Sequence, residues 1–411
     1  MTPPILIVGA GQAAVQTAEA LRAGGYQDPI TLLGEEAHGP YHRPPLSKAW
    51  LAGEMDAAQL TMRAPEMLAR KTIELRTGAR VTAIDRAAHR VTLADGSTLP
   101  YAKLVLATGA TPRSLPLPGA DAQGVLALRT RDDASAIAQR MAACIEDKRP
   151  VVVIGGGFIG LEVAATARKK GLAVTVLEAA PRLLGRVLVP LLSDWYAALH
   201  RSHGTQLVLN AQIAAIEHDG SNAVTGVRLA DGSVLPAGLV VVGVGVNPND
   251  ALARAAGLEC DRGIVVDACG RSSDPDIVAA GDCTARRLAD GSLLRLESVQ
   301  NATEQGKSAA AALLGQDRPF TATPWFWSDQ YDKKLQMAGL SAGADAWAVR
   351  GDMDSGSFTV YHFQGAQLLA ADSVSASKDH LLVRKLLDAG VSPTREQAAD
   401  HDFDLATLLA R

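Results

Sequence analysis

Val151-Val-Val-Ile-Gly155-Gly-Gly157-Phe-Ile159-Gly160-Leu-Glu162 opens a helical pattern that runs to Ala167, and Val174-Thr-Val-Leu-Glu178 follows it. An apolar run, a glycine turn, a helix, a second apolar run and an acid come in that order. The same order appears near the N-terminus. Ile5-Leu-Ile-Val leads into Gly9-Ala-Gly11-Gln-Ala13-Ala14, a helical pattern reaches Leu21, and Ile30-Thr-Leu-Leu precedes Glu35. Short, fully apolar runs bounded by glycine suit strands buried on both faces of a parallel sheet. In each copy the first glycine permits the tight turn and the second lets a pyrophosphate approach the backbone. The third small residue, Ala14 or Gly160, lets helix and strand pack closely. The helix start offers N–H groups and a positive dipole end to phosphate, and the acid can accept both hydroxyls of a ribose. One such match is a weak signal. Two, each in its required context, predict a chain that binds two dinucleotides.

Further along, both copies continue alike. Asp95-Gly predicts a hairpin before Leu104-Val-Leu-Ala-Thr-Gly109, and Asp231-Gly predicts one before Leu239-Val-Val-Val-Gly-Val-Gly245. A later apolar run, Ile277-Val-Ala-Ala-Gly-Asp282, ends in an acid suited to a ribityl hydroxyl, and it also reads as an ordinary strand-end turn. With the first copy, it predicts that the chain returns to complete a flavin domain around an inserted nicotinamide domain.

Composition narrows the function classes. A chain of 411 residues exceeds one ordinary core, so two or three domains are expected. A net charge of -4 leaves no basic footprint for nucleic acid. No apolar run reaches the roughly 18 residues that span a bilayer, and Met1-Thr-Pro-Pro runs straight into a strand, so a cytoplasmic protein is expected. Cys144, Cys260, Cys269 and Cys283 are scattered, with no C-x-x-C or C-x4-C pair, which argues against a zinc site, structural disulfides or a redox dithiol.

Five ordered motifs carry a resemblance: Arg43-Pro-Pro-Leu-Ser-Lys48, Gly155-Gly-Gly-Phe-Ile-Gly-Leu-Glu162, Ala279-Ala-Gly-Asp282, Glu297-Ser-Val-Gln-Asn301 and Pro324-Trp-Phe-Trp-Ser-Asp329. With them the chain resembles the two-dinucleotide flavoprotein reductases, and among these the ferredoxin reductases that serve bacterial oxygenases, the putidaredoxin-reductase-like group. The resemblance implies an α/β fold with two Rossmann-like domains, glutathione-reductase-like in type, plus a C-terminal α+β domain. It implies FAD on 1–112 and 249–321, NADH on 113–248 and a cap at 322–411. Gly9, Gly11, Ala13, Ala14, Glu35, Arg43, Lys48, Val81, Arg129, Asp282, Val299 and Trp327 would serve FAD. Gly155, Gly157, Ile159, Gly160, Glu178 and Glu297 would serve NADH. The implied activity is hydride transfer from NADH to FAD, then single-electron transfer to a two-iron, two-sulfur ferredoxin. That ferredoxin would feed a haem-thiolate monooxygenase or ring-hydroxylating dioxygenase. Transfer to rubredoxin, a flavin NADH oxidase and a flavin-binding signalling protein are the alternatives. The oxidases and disulfide reductases need a redox cysteine, and residues 35–67 contain none.

Lys48 and Glu162 are the implied catalytic pair beside the reactive flavin nitrogen. On the residues alone, Lys48 also reads as an ordinary exposed lysine and Glu162 as an acid decorating a helix start. If both are buried they need each other, since an unpaired buried charge is costly. Glu178 would repel a 2′-phosphate and so favour NADH over NADPH, while Arg182 and Arg186 just beyond could soften that choice. Arg295, Lys307, Lys333 and Lys334 flank the Glu297 and Trp327 motifs and are candidates for docking an acidic ferredoxin, though exposed cations are ordinary.

Overall fold

The computed structural model describes residues 3–410. Their contacts divide into two compact units, one of 1–42, 57–111 and 246–322, the other of 43–56, 112–245 and 323–411.

The first unit is built on a five-stranded parallel sheet in the order Ile277–Ala279, Lys103–Leu106, Ile5–Val8, Ile30–Leu33, Ile73–Arg76. Ile5–Val8 and Ile30–Leu33 are buried throughout, as their unbroken apolar runs require. The helix Gln12–Ala23 follows the first glycine loop. Against it lies the helix Val299–Leu313, at a separation set by small residues: a side chain at Gly306 would meet the Ala13 carbonyl oxygen at 2.9 Å. Between the third and fourth strands in chain order, an antiparallel sheet of Val81–Asp85, Arg90–Leu93 and Thr98–Pro100 carries the Asp95-Gly turn, where Asp95 accepts from the Ser97 backbone N–H and hydroxyl.

The second unit repeats that plan. Its parallel sheet runs Gln206–Leu209, Val174–Glu178, Val151–Ile154, Leu239–Val242, Val125–Ala127. The antiparallel strands Ile213–His218, Val224–Leu229 and Val234–Pro236 occupy the matching place, with Asp231-Gly at their turn. In each unit a strand from outside the contiguous repeat adds the fifth place, Ile277–Ala279 in one and Val125–Ala127 in the other. The same unit holds an antiparallel sheet ordered Trp325–Gln330, Lys333–Gly339, Gln367–Val374, Ser357–Gln364, Ala346–Asp352, with the helix Ser377–Asp388 packed on it.

Residues 43–56 lie in sequence within 1–112, the segment expected to hold FAD, yet they group with the second unit. Leu51 shares a core with Val153, Leu161 and Tyr196, and Thr166 Oγ1 donates to the Ser47 carbonyl at 2.9 Å. Leu335, Phe358, Val360 and Val374 belong to that same core, so 323–411 groups there rather than standing alone. No helix among the described residues is long and apolar enough to cross a membrane.

Candidate functional site

The two glycine loops have the same geometry. Gly9 has φ +121° and Gly155 φ +109°, backbone that side-chain-bearing residues rarely adopt. A Cβ at Gly9 would meet the Ala107 carbonyl oxygen at 2.2 Å, and one at Gly155 the Gly243 carbonyl oxygen at 2.3 Å. The second glycine of each loop is the opposite case. Among the described residues, a Cβ at Gly11 would meet nothing within 4 Å and one at Gly157 only the Gly243 oxygen at 4.0 Å. Each loop therefore leaves open space directly over its backbone, at the start of a helix of 12 residues. The openings fit a pyrophosphate, and the residues present fit two dinucleotides. At Gly160 a Cβ would lie 2.2 Å from the Gly155 carbonyl, the close packing that the third small residue serves.

The two acids differ. Glu178 ends its strand and turns back onto its own loop, Oε2 accepting from Gly156 N–H at 2.6 Å and Oε1 from Ala180 N–H at 2.8 Å. Both oxygens are thereby oriented, with lone pairs left for further donors. Glu35 is exposed and meets Arg80 at 3.4 Å. Arg182, which could have welcomed a 2′-phosphate, is committed to its own loop through the Leu188 and Gly185 carbonyls at 2.8 and 3.0 Å. Arg186 is exposed, and so is Ile159, at the start of the helix Phe158–Lys169.

Lys48 and Glu162 come together in the second unit. The helix Phe158–Lys169 carries Glu162 inward, where it is 2% exposed, and the 3-10 turn Pro44–Ser47 delivers Lys48 behind its two prolines. Lys48 Nζ lies 2.7 Å from Glu162 Oε2. Ser47 Oγ donates to that same oxygen at 2.5 Å, and Ser328 Oγ donates to Oε1 at 2.6 Å. Three donors converge on one carboxylate, which repays the desolvation of its charge. Ser328 reaches it by strand alternation. Along Trp325–Gln330, Ser328 and Gln330 are buried, while Trp325, Trp327 and Asp329 are half-exposed. Trp325 and Trp327 lie with ring centroids 5.6 Å apart, and Phe326 meets Phe158 at 4.8 Å.

Other candidates fall in both units and are described where they stand. In the first, Ala13 is buried, Val81 and Asp282 are half-buried, and Val299 is the first residue of a helix capped by Ser298, whose hydroxyl accepts from Asn301 N–H at 3.0 Å. Gln305 holds the turn before Asp282: its Oε1 accepts from Gly281 N–H at 2.7 Å and from Thr284 Oγ1 at 3.0 Å. In the second unit Arg43 Nη1 donates to the Arg129 carbonyl at 2.7 Å.

The docking candidates are more neutral than their sequence suggests. Arg295 meets Glu297 at 3.0 Å, Lys307 meets Glu304 at 2.7 Å and Lys333 meets Asp332 at 3.0 Å, while Lys334 is exposed. All four cysteines are free, and burial pushes the thiols of Cys144, Cys260 and Cys283 up, away from the reactive thiolate.

Ser47, Gln305 and His200 had no role in the sequence. Ser328 stands in the sequence only as part of the Pro324–Asp329 motif, with no role of its own, and Gln330 follows that motif unremarked.

Residues 3–306 match the family model described as pyridine nucleotide-disulphide oxidoreductase, and residues 325–409 match that described as reductase C-terminal. Rhodocoxin reductase of Rhodococcus erythropolis is 46% identical over 408 residues, covering 99% of this chain and 94% of that protein. The ferredoxin--NAD(+) reductase component of the anthranilate 1,2-dioxygenase system of Burkholderia cepacia is 44% identical over 409 residues, covering 99% of each. Among solved structures, the ferredoxin reductase for the CYP199A2 system from Rhodopseudomonas palustris superposes with a TM-score of 0.95 at 45% identity, covering 99% of each chain.

Proposed function

This chain belongs to the pyridine nucleotide-disulphide oxidoreductase family, and from that membership we propose that it is an FAD-dependent ferredoxin reductase, oxidising NADH and delivering single electrons to a two-iron, two-sulfur ferredoxin of an oxygenase system. The observation that carries the reading is the pair of glycine loops left open over their second glycine, each after a strand of a parallel sheet, in a chain alike over nearly its whole length to ferredoxin reductases. The scattered thiols support it by leaving no dithiol for disulfide chemistry.

Bound FAD supplies the conversion of a two-electron hydride into two single electrons. Everything else falls to the chain. Gly9, Gly11 and Ala14 bind the FAD pyrophosphate, with Ala13, Glu35, Arg43, Val81, Arg129, Asp282, Val299 and Trp327 as its further contacts. Gly155, Gly157 and Gly160 receive the NADH pyrophosphate, Ile159 and Glu297 assist, and Glu178 accepts the adenosine ribose hydroxyls. The Glu178 carboxylate, already aimed by two backbone N–H groups, disfavours a 2′-phosphate. No side chain need act as acid or base for the hydride. Lys48, fixed by Glu162, supplies a preorganised positive charge, and no reorganisation is needed when negative charge develops near it. FAD is assigned to 1–112 and 249–321, NADH to 113–248, and the cap to 322–411. The protein works in the cytoplasm.

Purified protein should be yellow and release about one FAD per chain on heating, since one flavin fingerprint is present. Chromatography of the released cofactor tests this, and FMN or no flavin would overturn the assignment.

A further inference from the structure

Glu162 stands at the end of a longer line of buried side chains in the second unit. Ser328 Oγ donates to Glu162 Oε1 at 2.6 Å, and Gln330 Nε2 donates to Ser328 Oγ at 3.2 Å. Gln330 Oε1 lies 2.9 Å from His200 Nε2, His200 Nδ1 lies 3.3 Å from the Tyr331 hydroxyl, and that hydroxyl lies 3.1 Å from Thr205 Oγ1. All six residues are buried. They come from the helix Phe158–Lys169, the last turn of Pro190–Ser202, the residue Thr205 after it, and the strand Trp325–Gln330 with its following turn.

The charge at one end sets the direction of every link. A carboxylate only accepts, so Ser328 must spend its single proton on Glu162 and accept at its own oxygen. Gln330 then presents its NH2 to Ser328 and its carbonyl oxygen to His200. That oxygen needs a donor, so His200 carries its proton on Nε2. Burial pushes the imidazole down to about 4, which keeps it neutral and leaves Nδ1 as an acceptor for the Tyr331 hydroxyl. Tyr331 in turn accepts from Thr205. With the imidazole neutral, the five bonds point one way, from Thr205 to Glu162, and no other arrangement of protons on these groups satisfies them all.

We infer that His200 is a positioning residue for hydride transfer: through Gln330 and Ser328 it holds the Ser328 proton on Glu162, and so holds the carboxylate that fixes Lys48. The inference rests on the proposed role of Glu162 and goes beyond it, since His200 touches neither Glu162 nor Lys48 directly. The alternative orientation, with the Gln330 amide turned over, would draw the Ser328 proton away and leave Glu162 Oε1 short of a donor in a buried site, which is costly.

The test uses His200→Leu and His200→Gln, each in the parent chain and in a Glu162→Gln background, with single-turnover reduction of the FAD-loaded protein by NADH. His200→Leu should slow reduction about tenfold, the equivalent of one lost buried hydrogen bond. His200→Gln, which keeps a donor at similar reach, should stay within about twofold of the parent, and NADH affinity should hardly move. In the Glu162→Gln background His200→Leu should have almost no further effect, because the charge it serves is gone. Equal slowing in both backgrounds would overturn the inference and leave a merely structural histidine. Glu162→Gln without effect on reduction would instead overturn the role of Glu162, and the inference with it. A second measurement needs neither variants nor turnover: nitrogen-15 NMR of labelled histidines should find His200 neutral with its proton on Nε2 at neutral pH. A proton on Nδ1, or an imidazolium, would refute the chain.

Discussion

Replacing Lys48 by methionine keeps the stem of the side chain and deletes its charge. Glu162, 2% exposed, is then left with hydroxyl donors alone, Ser47 on Oε2 and Ser328 on Oε1. Stranding one member of a fully buried ion pair costs about 3–5 kcal/mol. Two features place this site at or below the low end. Lys48 is itself 20% exposed, so the pair is not wholly withdrawn from water, and the two hydroxyls continue to stabilise the anion. The expected loss is therefore about 2–3 kcal/mol. Glu162→Gln breaks the pair from the other side. In Lys48→Met/Glu162→Gln no charge is stranded, so the double variant should lose at least about 1 kcal/mol less than the sum of the two singles. Equilibrium urea unfolding of FAD-loaded protein, followed by circular dichroism and by flavin fluorescence, measures all three variants. Because the pair is shielded from solvent, the coupling should survive about 0.5 M salt. A Lys48→Met protein as stable as its parent, or strictly additive losses, would refute the claim that the carboxylate depends on this lysine.

Asp282→Ala should weaken FAD retention on gel filtration while circular dichroism stays near that of the parent, because Gln305 holds the turn before it through Gly281 and Thr284. Steady-state kcat/KM should favour NADH over NADPH by at least about tenfold, a clash of roughly 1.4 kcal/mol, and Glu178→Ala should narrow the gap; equal use of both by the parent would contradict it. Burial pushes His200 and His380 down to about 4, so the unfolded chain binds more protons between that value and about 6.5. Stability from these two groups is complete above pH ~6.5 and is lost as pH falls toward 4, about 2 kcal/mol per histidine by pH 5. His200→Gln should flatten that acid slope by its share in urea titrations across pH. Lys307→Glu, which places an acid beside Glu304, should lower the ferredoxin rate at low salt while NADH–ferricyanide turnover stays near normal; a fall in both would assign Lys307 to the fold.

Much of this architecture was legible because it is local. Each glycine loop sits between a strand and a helix that are contiguous with it, and Asp95-Gly and Asp231-Gly mark their turns by residue type alone. The pairing of Lys48 with Glu162 followed from a family likeness, and the charges do meet in the second unit. Their company was not legible. Ser328 is 166 positions from Glu162, and a buried serine on a strand looks like any other alternating residue until the helix behind it is placed. His200 lies in no sequence motif, and its partners Gln330 and Tyr331 are 130 and 131 positions away. The grouping of 43–56 with the second unit depends on the same long-range contacts. The neutralised docking cations are a different case. Glu304 stands three positions before Lys307 on one helix, so that pair could have been read from spacing, whereas Arg295–Glu297 and Lys333–Asp332 lie outside the three- and four-residue helical spacing.

Electrons enter as a pair from NADH and leave singly to a small iron–sulfur protein. Anaerobic mixing of the FAD-loaded chain with NADH and a two-iron, two-sulfur ferredoxin of an oxygenase system, followed by the bleaching of the ferredoxin spectrum, tests this directly. Two ferredoxins should be reduced for each NADH consumed, as conservation of electrons requires, with ferredoxin bleaching dependent on the reductase. Consumption of NADH with no ferredoxin reduced beyond a control lacking the chain would contradict electron delivery to a ferredoxin.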